Sequence, residues 1–185
     1  MKPHVLPDYL APGLTAIFVG TAAGDTSARR GHYYAGPGNE FWKFLADARL
    51  TPELLGPDRD AELLAHGFGL TDVAKHRSGN DDVLAAGDFD VPAFVAKIER
   101  FGPVWVAFTS KGAAEVVARA LGHGRSVSLG RQRWTLAGAK VFVLPSPSGS
   151  NRNPAFLEGK ATRLDWFRAL RRAIAADGPQ KADTP

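Results

Sequence analysis

Cysteine is absent from this 185-residue chain. Its absence excludes disulfides, thiolate zinc sites, cysteine-ligated iron–sulfur clusters and a cysteine nucleophile. It also suits a reducing cytoplasm, which is the expected location. No apolar run is long enough to span a bilayer, and the opening MKPHVLPDYL holds no apolar core of signal-peptide length. A soluble chain with no membrane partner is therefore expected. Internal repeats and low-complexity blocks are missing too. The glycine-rich stretch at Gly20 is not followed by Gly-Lys-Ser/Thr and does not read G-x-G-x-x-G, so two common phosphate-binding signatures are lacking.

What remains is an ordinary globular composition, 44% hydrophobic and 23% charged. The length fits one domain, taken as residues 1–176, with a polar tail 177–185 (DGPQKADTP) expected to be disordered. Lys and Arg total 23 against 19 Asp and Glu, a formal net charge of +4. A basic excess favours a polyanionic partner, because neutralising phosphates releases counterions, although many ordinary enzymes are as basic.

Short apolar strands alternate with helical stretches. Leu14–Gly20 (LTAIFVG) is a nearly continuous apolar run, as a strand covered on both faces requires, and Gly20–Asp25 reads as a turn-rich loop. Asn39 can cap a helix that gathers Phe41, Trp42, Leu45 and Ala46 on one face and turns Lys43 and Asp47 away. Helices are also predicted at Asp58–His66, Val91–Arg100, Gly112–Leu121 and Asp165–Ala176. Strands are predicted at Leu70–Val73 and Val104–Phe108, with a hairpin of Arg131–Leu136 and Lys140–Leu144. Lys75–Asp88 and Pro145–Pro154 read as loops. The alternation predicts the α/β class, as a three-layer α/β/α sandwich with a central four-stranded parallel sheet. Ligands in such folds bind beyond the carboxyl ends of the strands, so the loops after Gly20, Thr71, Phe108 and Leu144 carry the functional expectations.

Each of these loops has unusual chemistry. In GTAAGDTS (residues 20–27), two glycines let the backbone approach an anion or a carbonyl oxygen closely, though a plain strand-to-helix turn explains them equally well. HYYAGPGNEFW (residues 32–42) sets two adjacent tyrosines beside a Gly/Pro turn, and both cannot enter a core from a loop. One should present its ring to a cleft, where a base could stack for about 1–3 kcal/mol, or else anchor the loop. Phe41 and Trp42 belong to the core. His76 and Arg77 either bind phosphate or form a solvated charged loop. Asp81 and Asp82 are too isolated for a metal site, and no metal or organic cofactor is expected. Thr109, Ser110 and Lys111 open a helix, where N–H groups, hydroxyls and a point charge suit a phosphate, although capping by Ser110 accounts for the same residues. Arg125, Arg131 and Arg133 extend the basic surface.

The pairing of YAGPGNEFW with PSPSGSNR (residues 145–152) resembles the mismatch-specific uracil and thymine DNA glycosylases and the related hypoxanthine-DNA glycosylases of the uracil-DNA glycosylase superfamily. Those families carry a G-x-N-P-G-like loop after a strand, then (Y/F)-A-x-P-x-N-x-F-W, and a P-(N/S)-P-S-(G/A) loop near the C-terminus. Here GTAAG, YAGPGNEFW and PSPSG occur in that order, across about Leu10–Ala176, and the first of them is degraded. The resemblance implies a monomeric DNA glycosylase of base excision repair. Such an enzyme hydrolyses the N-glycosidic bond of a deaminated base, uracil first among the candidates, and leaves an abasic site. By the same resemblance Tyr34 stacks on the flipped base. Thr21, Ala22 and Asn39 line the base pocket, and Asp72 reads the base's edge. Ser146, Ser148, Gly149, Ser150, Asn151 and Arg152 enter the minor groove and grip phosphates. Lys111 is expected on the DNA too, from its own place at a helix start rather than from the resemblance. Ser150 and Asn151 stand where relatives often carry an apolar wedge.

The sequence departs from the pattern at Ala22, where the mismatch-specific enzymes keep the asparagine that positions the attacking water. Asp25 is the nearest replacement. Its carboxylate could orient or deprotonate water and stabilise the charge developing on the sugar, or it could cap the following turn; His32 stands in reserve. An ionised Asp72 would accept from a ring N–H but repel the O4 of uracil unless protonated, which leaves the preferred base open. Ala22 also supports a second expectation, a non-catalytic protein of the same fold that binds DNA damage or abasic sites. A nucleotide-binding α/β hydrolase is disfavoured by the PSPSG loop and the missing phosphate-loop lysine.

Overall fold

Strand β1 (Ala16–Ala23) lies at the centre, and Ala16, Ile17, Phe18 and Val19 are fully buried on both faces of the sheet. In this computed structural model, which describes residues 3–79, 83–149 and 157–178, β1 pairs in parallel with β2 (Phe68–Ser78) on one side and with β3 (Trp105–Phe108) on the other. Beyond β3 lie β5 (Ala139–Val143), also parallel, and β4 (Gly130–Leu136), antiparallel, in the order β2-β1-β3-β5-β4. The four expected parallel strands are therefore present, and the first arm of the hairpin adds a fifth, antiparallel edge. Helices α1 (Asp25–Arg30), α2 (Phe41–Asp47), α3 (Val91–Phe101), α4 (Lys111–Ala120) and α5 (Arg163–Ala176) flank the sheet. Helix α2 meets α5 through Phe44 and Phe167, whose rings lie 5.1 Å apart. The chain leaves β1 toward β2 and later returns to β1's other side as β3. The carboxyl ends of β1 and β3 thus flank the switch point where α/β sheets bind ligands.

Three local expectations are corrected. Gly20–Ala23 is not a loop. Pairing of Gly20 with Asp72 and Ala22 with Ala74 carries β1 onward to an irregularity at Ala22/Ala23, and α1, absent from the sequence reading, starts directly after Gly24. Likewise β2 runs on through Ser78, so Lys75 is a strand residue and is buried. An ammonium group tolerates that position only because it is paired. Its Nζ lies 2.9 Å from Asp8 and donates to the Tyr33 hydroxyl at 2.9 Å. Asp8 also meets Lys97 at 2.6 Å and accepts from the Thr71 hydroxyl at 2.6 Å. The expected α-helix at Asp58–His66 is a 3-10 helix, Pro57–His66, with a kink at Arg59.

The other elements follow their end signals. Asp90 caps α3 by accepting from Ala93 N–H, and Thr162 with Asp165 forms a reciprocal capping box that starts α5 at Arg163. Asp177, the first residue of the expected tail, pairs with Lys140 at 2.5 Å; residues 179–185 of that tail lie outside the described residues. Among the described residues no helix is long and apolar enough to cross a membrane.

The Asp8 cluster gives a stability prediction. Its two lysines and the Thr71 hydroxyl hold the Asp8 carboxyl below its ordinary range despite the opposing effect of burial. A carboxyl depressed in the folded state stabilises above its unfolded pKa, and that contribution is lost as pH falls through the folded value. Asp8→Asn should therefore lower stability at pH 7 by about 3 kcal/mol, as expected for breaking a buried pair. The deficit should shrink on acidification below about pH 4, as measured by urea denaturation at each pH.

Candidate active site

A cleft of about 940 Å³ opens at the carboxyl ends of β1 and β3, large enough for a nucleotide. Thr21, Ala22, Asp25, Tyr34, Asn39 and Asp72 all line it, and so do Lys111, Ser146 and Ser148. The structure thus brings together every expected pocket residue and three of those expected on DNA. Gly149 borders the same region through contact with Gly38. Ser150, Asn151 and Arg152 lie outside the described residues, as do Asp81 and Asp82. His32 is not in the cleft; its Nδ1 lies 3.3 Å from the buried Asp60 carboxylate. His76 and Arg77 sit near the end of β2, the first against the Pro3 carbonyl and the second 3.7 Å from Asp88.

Tyr34 is the best-held side chain of the site. Its φ of 53° is a left-handed conformation that a bulky residue adopts at a cost of about 1–3 kcal/mol. The peptide groups on both sides enforce it. Tyr33 N–H donates to Asp60, and the Tyr33 carbonyl accepts from Trp42 Nε1. Ala35 N–H donates to the Ser27 hydroxyl, and the Ala35 carbonyl accepts from Arg30. The ring then stacks on Phe41 with centroids 3.8 Å apart, and its hydroxyl lies 3.1 Å from Thr109 Oγ1. Phe41 thus covers one face of the ring, and Tyr34 lines the cleft. Tyr33, by contrast, is buried and donates its hydroxyl hydrogen to the Pro7 carbonyl. One tyrosine anchors and the other presents.

Asp72 forms part of the cleft wall. It is 4% exposed, and its carboxyl has no hydrogen-bond partner among the described residues. The carboxyl lies across the backbone of β1, where a side chain on Gly20 would place its Cβ 2.3 Å from Oδ1 and 3.7 Å from the Tyr34 hydroxyl. Burial raises its pKa from 3.8 to about 6, with Asp8 adding to the rise and Lys75 and Lys97 opposing it. Burial likewise raises the Tyr34 hydroxyl, the Asp72 charge adds to the effect, and the bond with Thr109 opposes it.

The remaining candidates have defined surroundings. Thr21 Oγ1 lies 3.0 Å from Ser110 Oγ, and Ser110 caps α4 by accepting from Ala113 N–H. Asn39 lines the cleft and accepts from Phe41 N–H at 3.0 Å, but it is not the cap expected of it: Glu40 holds the N-cap position of α2, with no side-chain cap hydrogen bond. Lys111 pairs with Glu158 at 2.7 Å, so its ammonium is engaged within the protein. Asp25 is exposed at the rim as the first residue of α1, with no hydrogen bond or ion pair among the described residues.

Sequence reasoning missed Arg163. Only 14% exposed, it donates from Nη1 to the carbonyls of Ser146 (3.1 Å) and Ser148 (2.6 Å), and from Nη2 to the Glu40 carboxylate. Glu40 N–H donates to the carbonyl of Pro147 at 2.9 Å. The only signal was a cation at the first position of a helix, where the macrodipole disfavours it.

The family profile described as the Uracil DNA glycosylase superfamily matches residues 7–171. The chain belongs to that superfamily. Among solved structures, it resembles the solution NMR structure of a candidate uracil DNA glycosylase from Methanosarcina acetivorans, with a TM-score of 0.63 and 22% identity over 94% of this chain and 98% of that one. At that identity the likeness speaks for the fold.

Asp72 supplies the prediction here. A carboxyl raised in the folded state opposes folding as pH climbs above its unfolded value, and the cost levels off above its folded one. Asp72→Asn should leave stability unchanged near pH 4 and raise it by about 2–3 kcal/mol at pH 7.5. Thermal or urea unfolding at the two pH values checks this.

Proposed function

We propose that the protein is a monofunctional DNA glycosylase that flips a deaminated base, uracil first, into the cleft and hydrolyses its N-glycosidic bond to leave an abasic site. Superfamily membership supports the reaction class. The observation that carries the reading for this chain is the joint presence, in one cleft at the switch point, of Tyr34, held in a strained backbone with its ring backed by Phe41, and a buried carboxyl, Asp72, that has no hydrogen-bond partner among the described residues. A flipped base needs a stacking platform and a polar group on its edge. In its protonated form Asp72 donates to the carbonyl oxygen that deamination creates, where the parent base has an amino group.

In this reading Asp25 activates or orients water at the rim, Thr21, Ala22 and Asn39 border the base, and the loop from Ser146 through Arg152, with Lys111, faces the DNA backbone. The protein acts as a monomer, in the cytoplasm. One observation favours a second reading, a non-catalytic damage-binding protein. Ala22 brings no polar side chain to the cleft, and Asp25 is exposed at its edge.

Labelled duplexes carrying uracil, hypoxanthine or xanthine, incubated with the protein and then treated with alkali, separate the two readings. Strand cleavage on at least one is expected, and none on any would sink the enzyme. Asp25→Asn should lower the single-turnover rate at least about tenfold, equivalent to ~1.4 kcal/mol; an unchanged rate removes Asp25 from the mechanism. The uracil excision rate should fall as pH rises above about 6, the value to which Asp72 is raised by burial and Asp8 against the opposing Lys75 and Lys97. That alkaline limb should be absent in Asp72→Asn.

A further inference from the structure

We infer that Arg163 and Glu40 form a clasp that sets the polarity of the Ser146–Gly149 loop, so that Arg163 is a positioning residue for DNA engagement. This inference rests on the glycosylase reading. Three successive carbonyls of the loop are turned into the protein: Ser146 and Ser148 toward Arg163, and Pro147 toward the Glu40 amide. Carbonyl oxygens are the electronegative side of a peptide, and a loop that showed them to phosphates would repel the duplex. All three carbonyls accept from behind, while Ser146 and Ser148 line the cleft and the Ser146 hydroxyl accepts from Ser148 N–H at 3.3 Å.

The clasp also joins two loops. Glu40 closes the turn that carries Tyr34 and Asn39, so one guanidinium ties the stacking side of the cleft to the Ser146–Gly149 loop. The contact is close. A Cβ on Gly149 would stand 2.8 Å from the Gly38 carbonyl oxygen, so glycine is required there for steric reasons. Arg163 suits this task because its planar fork donates to several acceptors at fixed angles, which an ammonium on a flexible stem does not. Its place at the first position of α5 opposes the helix dipole by about 0.3–1 kcal/mol, a cost that the three acceptors offset. Because Glu40 balances its charge and it is mostly buried, Arg163 is not a phosphate ligand itself.

The test compares the wild-type protein with Arg163→Lys, Arg163→Gln and Glu40→Gln. Affinity is measured for a duplex holding a tetrahydrofuran abasic-site analogue, over a salt series, beside the single-turnover excision rate at saturating protein. Arg163→Lys and Arg163→Gln should each weaken binding at least about tenfold. The saturated rate should stay within about twofold, and the slope of log Kd on log salt should not change. Glu40→Gln should weaken binding less, since it keeps the Pro147 bond and both bonds from Arg163 to the loop carbonyls. A merely structural role would lower the melting temperature and the active fraction while leaving the Kd of the folded fraction intact, and that result overturns the clasp. Full rescue by lysine would overturn the fork geometry. A salt slope reduced by about one in Arg163→Gln would make Arg163 a direct phosphate contact and overturn the positioning role. Wild-type protein that neither binds nor cleaves any damaged duplex would overturn the glycosylase reading and the clasp with it. Wild-type activity with unchanged variant affinity would overturn the clasp alone.

Discussion

The chemistry of the cleft depends on one register, the parallel pairing that sets Gly20 of β1 beside Asp72 of β2. Any side chain at position 20 would occupy the space of the Asp72 carboxyl. Without one, the carboxyl lies across the strand, mostly buried and in the wall of the cleft. Strand alternation does the rest. Thr71, next to it in sequence, turns to Asp8, while Asp72 turns the other way and meets no donor among the described residues. A carboxyl held this way keeps its proton to higher pH than an exposed one. It then offers a hydrogen-bond donor where most carboxylates offer only acceptors.

Tyr34 shows the same logic in the backbone. A left-handed tyrosine does not persist unless its surroundings demand it, and here hydrogen bonds from four different residues fix the peptide groups on either side. Those bonds come from α1, from the 3-10 helix and from α2, all in the crossover between β1 and β2. The crossover is therefore the frame that holds one aromatic ring in the wall of the cleft, with Phe41 backing one of its faces. Rigidity of this kind lowers the ordering cost on binding a flat partner.

Much of this was legible in the sequence because the strongest signals are local. Apolar runs gave the four parallel strands, Ser110 marked a helix start, and the pair Tyr33–Tyr34 offered one ring to a cleft or to anchoring the loop. The errors share a cause. Gly20–Ala23 and Lys75 look like loop residues until a partner strand and a counter-ion are supplied, and both lie far away in sequence: β2 beside Gly20, Asp8 beside Lys75. Arg163 was invisible for the same reason, since its acceptors lie more than a dozen residues upstream and include main-chain carbonyls that no side-chain pattern records. The engagement of Lys111 by Glu158 was equally hidden.

The distribution of ion pairs decides which cations can serve a polyanion. The net charge of +4 counts every lysine and arginine alike, but the buried Lys75 and the mostly buried Lys97 and Arg163 lie beside carboxylates and are committed to the fold. Breaking such pairs strands a charge out of water and costs several kcal/mol, of the order of 3–5. Lys111 is different. Its side chain is 36% exposed and its bond to Glu158 is a surface pair, worth about 0–1 kcal/mol. A phosphate arriving at the mouth of the cleft could take that ammonium from Glu158 at small cost, whereas it could not take Arg163 from the loop carbonyls. The two residues thus divide the electrostatic work by burial. Arg163 spends its charge shaping the surface that DNA would meet, and Lys111 keeps its charge exchangeable at the edge of that surface.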